Sequence, residues 1–168
     1  MSRISNIKKR TILSLVNHFL SGTHFYSIKR WLLNQIKDVK LEQNVRIVGP
    51  IVFFGTLSVG EDTFVGRDFN IEGNGNVCIG RKCDIAPHVC IITGSHEVGD
   101  KYRRAGKGYS GKVTVGNGCW ICANSCILPN VEIGEGSVVA AKSLVNKSVS
   151  DNCLVAGNPA RVKKIFND

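Results

Sequence analysis

Large apolar residues recur at every sixth position through most of the chain. The first run, which includes a two-residue slip after its fifth member, contains Ile47, Phe53, Val59, Val65, Ile71, Ile79, Ile85 and Ile91. A second run follows an interruption and contains Val115, Ile121, Ile127, Ile133, Val139 and Val145. A period of six fits neither an α-helix nor a long alternating strand. It predicts an all-β solenoid of short parallel strands, with one six-residue unit in each wall.

The residues around each repeat position support walls joined by tight corners. Side chains two residues apart share one face of a strand, and the residue two places before a repeat position is small or apolar, as at Cys83 and Ser137. Turn-forming residues follow, as in Gly60-Glu61-Asp62. Three walls return the chain above itself at a spacing of about 4.8 Å. The fourteen repeat positions predict between four and five coils, and the general rule for parallel crossovers favours right-handed winding.

Apolar residues at helical spacing precede the repeats. Two sets, separated at Gly22, contain Ile4, Ile7, Ile12, Leu15, Val16, Phe19 and Leu20, then Phe25, Ile28, Trp31, Leu32 and Ile36. They predict two short amphipathic helices in an arm over residues 1–40, followed by the solenoid domain over residues 41–168 with its C-terminal tail. No apolar run is long enough to cross a bilayer, and we expect no signal peptide.

Charge divides the chain at the same place. The formal net charge is +9, and residues 1–40 hold eight Lys or Arg but only one acid, Asp38. We expect no nucleic-acid partner, because the arm carries an apolar stripe rather than a uniform basic tract. Two interpretations stay open. The arm packs on the solenoid end or a neighbouring subunit, or residues 1–38 lie on a membrane with these side chains toward anionic lipid: Lys8, Lys9, Arg10, Lys29 and Arg30.

The seven cysteines indicate a reducing compartment rather than a disulfide framework. Several lie beside repeat positions, where they act as small apolar filling. Cys119-x-x-Cys122 has the spacing of a redox or zinc motif, but no second matching pair follows. We therefore expect no metal and a cytoplasmic protein, placed peripherally on the inner face of the membrane if the arm binds lipid.

Residues 94–112 interrupt the repeat with a Gly-rich, basic and aromatic loop. Loops of this length inside a compact domain are usually functional or disordered. His96 stands at the root of the loop, directly after Thr93, so ordered backbone holds its imidazole as a general base requires. We expect His96 to be catalytic on an extruded loop. His88, which follows Pro87 at a predicted corner, is expected to be structural.

Three segments of the chain resemble the hexapeptide-repeat acyltransferases. They are residues 78–96, 115–124 and 155–162, and they include Thr93-Gly94-Ser95-His96, Trp120-Ile121 and Gly157-Asn158-Pro159-Ala160. The resemblance covers roughly residues 45–165 and looks closest to the sugar O-acetyltransferases, including those acting on maltose, galactosides and bacterial surface polysaccharides. It implies a left-handed parallel β-helix, which overrides the right-handed default. It also implies acetyl-CoA as donor and a homotrimer with active sites between subunits.

The resemblance also implies roles for particular residues. His96 acts as the base that takes a proton from a sugar hydroxyl during direct attack on the thioester. Asn70 resembles an acceptor-contacting residue of the family. The acetyl-CoA site is implied to use Trp120, Ala123, Ala141, Arg161, Lys163 and Lys164. Each assignment has a structural alternative: an exposed corner for Asn70, packing for Trp120 and a solvated terminus for the basic tail.

Other candidates follow from their position in the loop. We expect Glu97 to orient His96, and we expect Tyr102, Arg103 and Arg104 to hold the acceptor, including one that bears phosphate. The family has Gly where this chain has Cys122 after the Trp-Ile pair, which alters the width of the implied pantetheine channel.

Together these features predict an acetyl-CoA-dependent O-acetyltransferase with a saccharide acceptor. The acceptor is expected in a bacterial surface polysaccharide (O-antigen, capsule or exopolysaccharide) or in its lipid-linked precursor. An N-acetyltransferase acting on an amino sugar is the alternative, because it needs the same base and donor. A metal-dependent hydratase of this fold needs three imidazoles on one zinc, whereas the repeats contain only His88 and His96.

Overall fold

The computed structural model describes residues 3–167, so residues 1, 2 and 168 of the predicted arm and tail lie outside it. The first three coils contain β1 (Val39–Leu41), β2 (Arg46–Ile47), β3 (Ile51–Phe53), β4 (Thr56–Val59), β5 (Phe64–Val65), β6 (Phe69–Glu72), β7 (Asn76–Ile79), β8 (Asp84–Ile85) and β9 (Cys90–Ile92). A hairpin follows, formed by β10 (Gly94–Val98) and β11 (Ala105–Ser110). The remaining strands are β12 (Lys112–Val115), β13 (Trp120–Ile121), β14 (Cys126–Ile127), β15 (Glu132–Ile133), β16 (Val138–Val139), β17 (Leu144–Val145), β18 (Cys153–Gly157) and β19 (Ala160–Ile165).

These strands form the three parallel walls that the six-residue period predicts. Wall A has the order β1-β4-β7-β12-β15, and wall C has the order β3-β6-β9-β14-β17. Wall B has the order β2-β5-β8-β13-β16-β18, and β19 pairs antiparallel on its C-terminal edge. Five coils are complete and a sixth begins, because Val149 bridges to Ile133 and β18 extends wall B. The prediction of four to five coils was too low, since Leu41 and Val155 also occupy buried repeat positions at the two ends.

The repeat positions form the core. Their side chains stack in register along the axis, and Ile71, Ile121 and Ile133 are fully buried. Burying each such side chain stabilises the fold by about 1.5–3 kcal/mol. The core is therefore a set of aliphatic columns that run along the axis.

Small polar residues line the corner between walls A and B. Each donates a hydrogen bond to a carbonyl of the next coil: Thr63 to Gly80 (2.8 Å), Cys83 to Gly116 (3.1 Å), Cys119 to Gly134 (3.0 Å) and Ser137 to Ser150 (2.8 Å). Because a buried carbonyl without a donor is costly, these side chains join successive coils. Cys83 and Cys119 thus donate hydrogen bonds as well as filling space in the core. Only the second of these roles was predicted from the sequence. All seven cysteines are free thiols.

Backbone of left-handed conformation turns the corners. One stacked column contains Asn44, Asp62, Lys82, Gly118, Gly136 and Asn152, all with φ between 54° and 65°. His88 takes the same conformation (φ 60°) at another corner, and its Nδ1 lies 3.4 Å from Asp68 Oδ2. The structure therefore places His88 at a corner of the fold, as predicted.

The arm closes the N-terminal end of the β-helix. It consists of α1 (Arg3–Ser14), a π-helical turn (Leu15–Phe19) and α2 (Tyr26–Leu33). Its buried side chains, Ile12, Val16, Leu33 and Ile36, belong to the same core as the first coil. The arm ends slightly earlier than predicted, since β1 begins at Val39. Within residues 3–167 no helix has the length and hydrophobicity needed to cross a membrane.

Two lysines of the arm are not where the membrane interpretation put them. Lys9 Nζ donates to Phe54 O (3.0 Å) and lies 4.1 Å from the centroid of the Phe53 ring. Lys29 is fully buried, and its Nζ donates to the carbonyls of Gly22 (2.7 Å) and Val48 (3.1 Å). Burial lowers the pKa of Lys29. The prediction that these two lysines face lipid is wrong, because both side chains tie the arm to the first coil.

Candidate active site

The predicted loop is an antiparallel hairpin that leaves the β-helix between walls C and A. Its root is held by Thr93, the last residue before β10. The Thr93 hydroxyl donates to Glu72 O (3.0 Å) and accepts from Gly75 N (3.0 Å), while Thr93 O accepts from Gly111 N (2.6 Å). Both ends of the hairpin are therefore bonded to one buried residue, which gives β10 a defined direction.

His96 is exposed on β10 and faces a cleft of about 370 Å³. The cleft is lined by Gly73, Asn74, Gly94, Ser95, His96, Gly108, Tyr109 and Ser110. Gly108 is the cross-strand partner of His96, and a Cβ there would lie 3.6 Å from His96 Nε2. The missing side chain leaves the imidazole accessible, so a hydroxyl group can approach it as general-base chemistry requires.

Asn70 lies on the outer face of wall C, on the strand that leads toward the hairpin root. Its Nδ2 donates to Glu72 Oε1 (2.8 Å), whereas its Oδ1 is buried and has no hydrogen-bond partner among the described residues. A buried acceptor without a donor is unfavourable. The amide oxygen is therefore unsatisfied within one chain.

The other predicted acceptor residues lie away from His96. Tyr102, Arg103 and Arg104 form the tip of the hairpin, where Asp100 accepts from the backbone of Tyr102 and Arg103, and Arg104 donates to Gly99 O. In the described part of the chain no hydrogen bond or ion pair joins Glu97 to His96. Within one chain the three tip residues therefore lie along the hairpin from the imidazole, and Glu97, its neighbour on β10, forms no such bond with it among the described residues.

The predicted acetyl-CoA residues lie on wall B and at the corner that follows it. Trp120 is 54% exposed beside a cleft of about 370 Å³, which Phe64, Asp84, Ile85, Ala86 and Pro87 complete. Ala123 and Ala141 occupy successive coils at the next corner, where Lys142 N donates to Ala123 O. Arg161, Lys163 and Lys164 are exposed on β19, at the C-terminal edge of the same wall. This mostly apolar cleft with a basic edge fits a flexible pantetheine chain followed by phosphates.

His96 and Trp120 therefore belong to different walls of one chain. The imidazole leaves the corner between walls C and A, while the indole stands on wall B. The two clefts are therefore separate within one chain.

Several lining residues were not predicted from the sequence. Asn74 and Tyr109 line the His96 cleft, and Phe64 and Asp84 line the Trp120 cleft. The two-residue slip after Ile71 was a usable signal, because it lengthens the corner at Gly73–Gly75 that meets the hairpin. A Cβ on Gly73 would lie 2.3 Å from Gly94 N, so this contact requires glycine.

A pair of thiols lies on the outside of wall C. Cys90 and Cys126 are in-register partners on β9 and β14. A hydrogen bond from Cys90 lowers the pKa of Cys126 to about 7, and the same contact, with burial, raises the pKa of Cys90. Among residues 3–167 no three His, Cys, Asp or Glu side chains are grouped as metal ligands.

Comparison with known proteins agrees with this architecture. Residues 112–147 match the family model "Bacterial transferase hexapeptide (six repeats)". A putative acetyltransferase, YvoF of Bacillus subtilis, is 33% identical over 83% of this chain and 68% of its own length. The chain belongs to the hexapeptide-repeat acyltransferase family.

Other members of the family carry more specific names. The galactoside O-acetyltransferase of Escherichia coli is 37% identical over 72% of this chain and 61% of its own length. The putative colanic acid biosynthesis acetyltransferase WcaF of the same species is 32% identical over 75% of this chain and 65% of its own length. The chain thus spans about three fifths of the first curated relatives it matches.

A solved galactoside acetyltransferase in complex with coenzyme A superimposes with a TM-score of 0.82 at 27% identity, over 100% of this chain and 85% of its own. The fold is accordingly the left-handed β-helix that the resemblance implied, and the right-handed default does not apply.

Proposed function

We propose that this protein is an acetyl-CoA-dependent O-acetyltransferase whose acceptor is a saccharide of a bacterial surface polysaccharide or of its lipid-linked precursor. The observation that carries the proposal is His96, accessible in a cleft and held on a hairpin whose root is fixed by buried hydrogen bonds. The galactoside and colanic acid relatives support a saccharide acceptor and an acetyl donor.

His96 is the general base in this proposal. Its imidazole takes the proton of a sugar hydroxyl as the oxygen forms a bond to the acetyl carbonyl carbon, and it returns the proton to the departing thiolate. Asn70 contacts the acceptor through its side-chain amide, as the family resemblance implies. Trp120, Ala123 and Ala141 line the pantetheine channel, and Arg161, Lys163 and Lys164 pair with the phosphates. Tyr102, Arg103 and Arg104 reach the acceptor from the hairpin tip.

The test replaces each repeat-domain histidine. His96→Ala is expected to lose at least about two orders of magnitude in turnover, measured as free-thiol release, with unchanged acetyl-CoA affinity. His88→Asn is the matched control, since asparagine tolerates the left-handed backbone at that corner. Near-normal turnover by His96→Ala refutes the assigned base. Stability of the product to hydroxylamine would indicate an N-acetyl amide instead of an ester.

The proposed assembly is a homotrimer with sites between subunits, because His96 and Trp120 lie on different walls. Trp120→Ala is expected to lose turnover because it removes one side of the proposed pantetheine channel. Trimers mixed from His96→Ala and Trp120→Ala chains should then regain activity, because a neighbouring pair supplies both side chains in roughly a quarter of the sites. No recovery in mixed trimers contradicts shared sites.

The proposed location is the inner face of the cell membrane, with the arm in contact with lipid. Residues 3–37 contain no acid, and the outer side of the arm exposes Phe19 (76%) and Trp31 (62%). This combination favours an anionic interface. Phe19→Ser/Trp31→Ser should reduce co-sedimentation with anionic vesicles, and unchanged sedimentation refutes the lipid contact.

A further inference from the structure

A cleft of about 350 Å³ lies between α2 and the first coil, and the proposed transfer chemistry does not use it. It is lined by Tyr26, Ser27, Arg30, Asn44, Val45, Arg46 and Asp62. Within residues 3–167, neither Arg30 nor Arg46 forms an ion pair or a side-chain hydrogen bond. Asp62 instead accepts from Asn44 Nδ2 (3.0 Å). Two guanidinium groups are therefore available in one small cleft.

The donors of this cleft match a phosphate group. A guanidinium offers planar paired N–H donors that fit phosphate oxygens, and the hydroxyls of Tyr26 and Ser27 add further donors. Arg46 is held in place over the ring of Phe64, with its Cζ 5.3 Å from the ring centroid. A ligand with several acceptor oxygens is needed to use these donors together.

Coenzyme A does not supply that phosphate. Arg46 lies on β2, at one end of wall B, whereas the proposed nucleotide residues lie on β19, at the other end. Six inter-strand spacings separate the two strands, about 29 Å across the sheet. The cleft is thus separate from the proposed nucleotide residues and lies at the arm end of the molecule.

Exposed apolar side chains on and beside the same helix favour a membrane lipid as the source of the phosphate. Phe25, Ile28 and Trp31 are 57%, 49% and 62% exposed on and directly before α2. We propose that this cleft binds a phosphate group carried by a membrane lipid, with these three side chains in the apolar part of the interface. The inference rests on the membrane contact of the proposed function and names the group that is recognised.

The experiment compares two charge-matched double variants. Arg30→Gln/Arg46→Gln removes the cleft arginines, and Lys8→Gln/Arg10→Gln removes two exposed basic residues outside it. Binding is measured to vesicles of phosphatidylcholine mixed with either phosphatidic acid, a phosphate monoester, or phosphatidylglycerol, a diester. In a Trp120→Phe background, Trp31 is the only tryptophan, so its emission reports insertion.

The wild-type protein is expected to prefer phosphatidic acid. The cleft variant should lose that preference and bind phosphatidic acid at least about tenfold more weakly than the control variant, which loses affinity equally for both lipids. Equal weakening by both variants overturns the phosphate site, because it shows only general attraction. Full competition by inorganic phosphate at the affinity of the vesicles overturns the lipid source.

Two further readouts keep the outcomes separate. Thiol release with a soluble galactoside acceptor, measured in a chain that retains Trp120, should be unchanged by Arg30→Gln/Arg46→Gln, so a failure of the cleft proposal leaves acetyl transfer standing. If the cleft variant melts at a lower temperature than the wild type, Tyr26→Phe/Ser27→Ala replaces it. That variant should weaken binding to phosphatidic acid selectively, and unchanged binding refutes the cleft.

Discussion

Replacing Thr93 with valine tests whether the buried root of the hairpin positions His96, independently of its contribution to the stability of the β-helix. The Thr93 hydroxyl is buried, donates to Glu72 O and accepts from Gly75 N. Valine keeps the shape of the side chain but removes both bonds, and it does so at the root of the hairpin that carries His96.

The expected cost follows from the groups left behind. Glu72 O keeps Thr93 N as a donor at 2.7 Å, whereas Gly75 N loses its acceptor in a buried place. Losing one bond and leaving one buried donor unpaired costs about 2–4 kcal/mol. For a chain of this size the loss lowers the Tm by roughly 5–15 °C. Because the hairpin root relaxes, we expect kcat to fall at least about tenfold.

Thr63→Val is the matched control. Thr63 is equally buried, donates to Gly80 O (2.8 Å) and accepts from Cys83 N (3.0 Å), but it lies at the corner between walls A and B. In the described chain Gly80 O has no other donor, so the control should lose at least as much stability.

Thermal unfolding gives the loss of stability, and thiol-release kinetics measured below the transition give the loss of activity. Thr93→Val should lose kcat with an unchanged KM for acetyl-CoA, whereas Thr63→Val should keep its kcat. If Thr93→Val keeps normal kcat, the root does not position the base. If both variants lose kcat equally, activity merely follows stability.

Two further predictions concern titratable side chains. Lys29→Met should cost about 1–3 kcal/mol at neutral pH, because Gly22 O loses its donor. Burial lowers the pKa of Lys29 in the folded chain from its ordinary value of 10.5. Between the lowered and the ordinary pKa the unfolded chain binds more protons than the folded chain. The stability advantage of the wild type over Lys29→Met should therefore grow as the pH rises toward 10.5. A difference that shrinks in chemical denaturation at alkaline pH contradicts this. Cys126 should be alkylated half-maximally near pH 7, where Cys122, whose pKa burial raises, reacts slowly. Cys90→Ala should move the Cys126 profile to higher pH, and peptide mass spectrometry showing identical profiles refutes the thiol contact.

The sequence alone predicted most of the β-helix. Each wall depends on residues within six positions of one another: an aliphatic residue, a small residue two places earlier and a corner former after it. Strand alternation and turn conformation are local properties, so these features can be predicted from the sequence alone. The exposed His96 at the hairpin root was predicted on the same basis, while its catalytic role remains a prediction.

Only the tertiary structure placed the residues that act across coils. Thr93 reaches Gly75, 18 residues away, and Lys29 reaches Val48, 19 residues away. The burial of Lys29, the shared cleft of Arg30 and Arg46, and the separation of His96 from Trp120 on different walls depend on which coil stacks against which surface. A local pattern carries no information on such contacts, because their partners are distant in the chain and are brought together only by the stacking of coils about 4.8 Å apart.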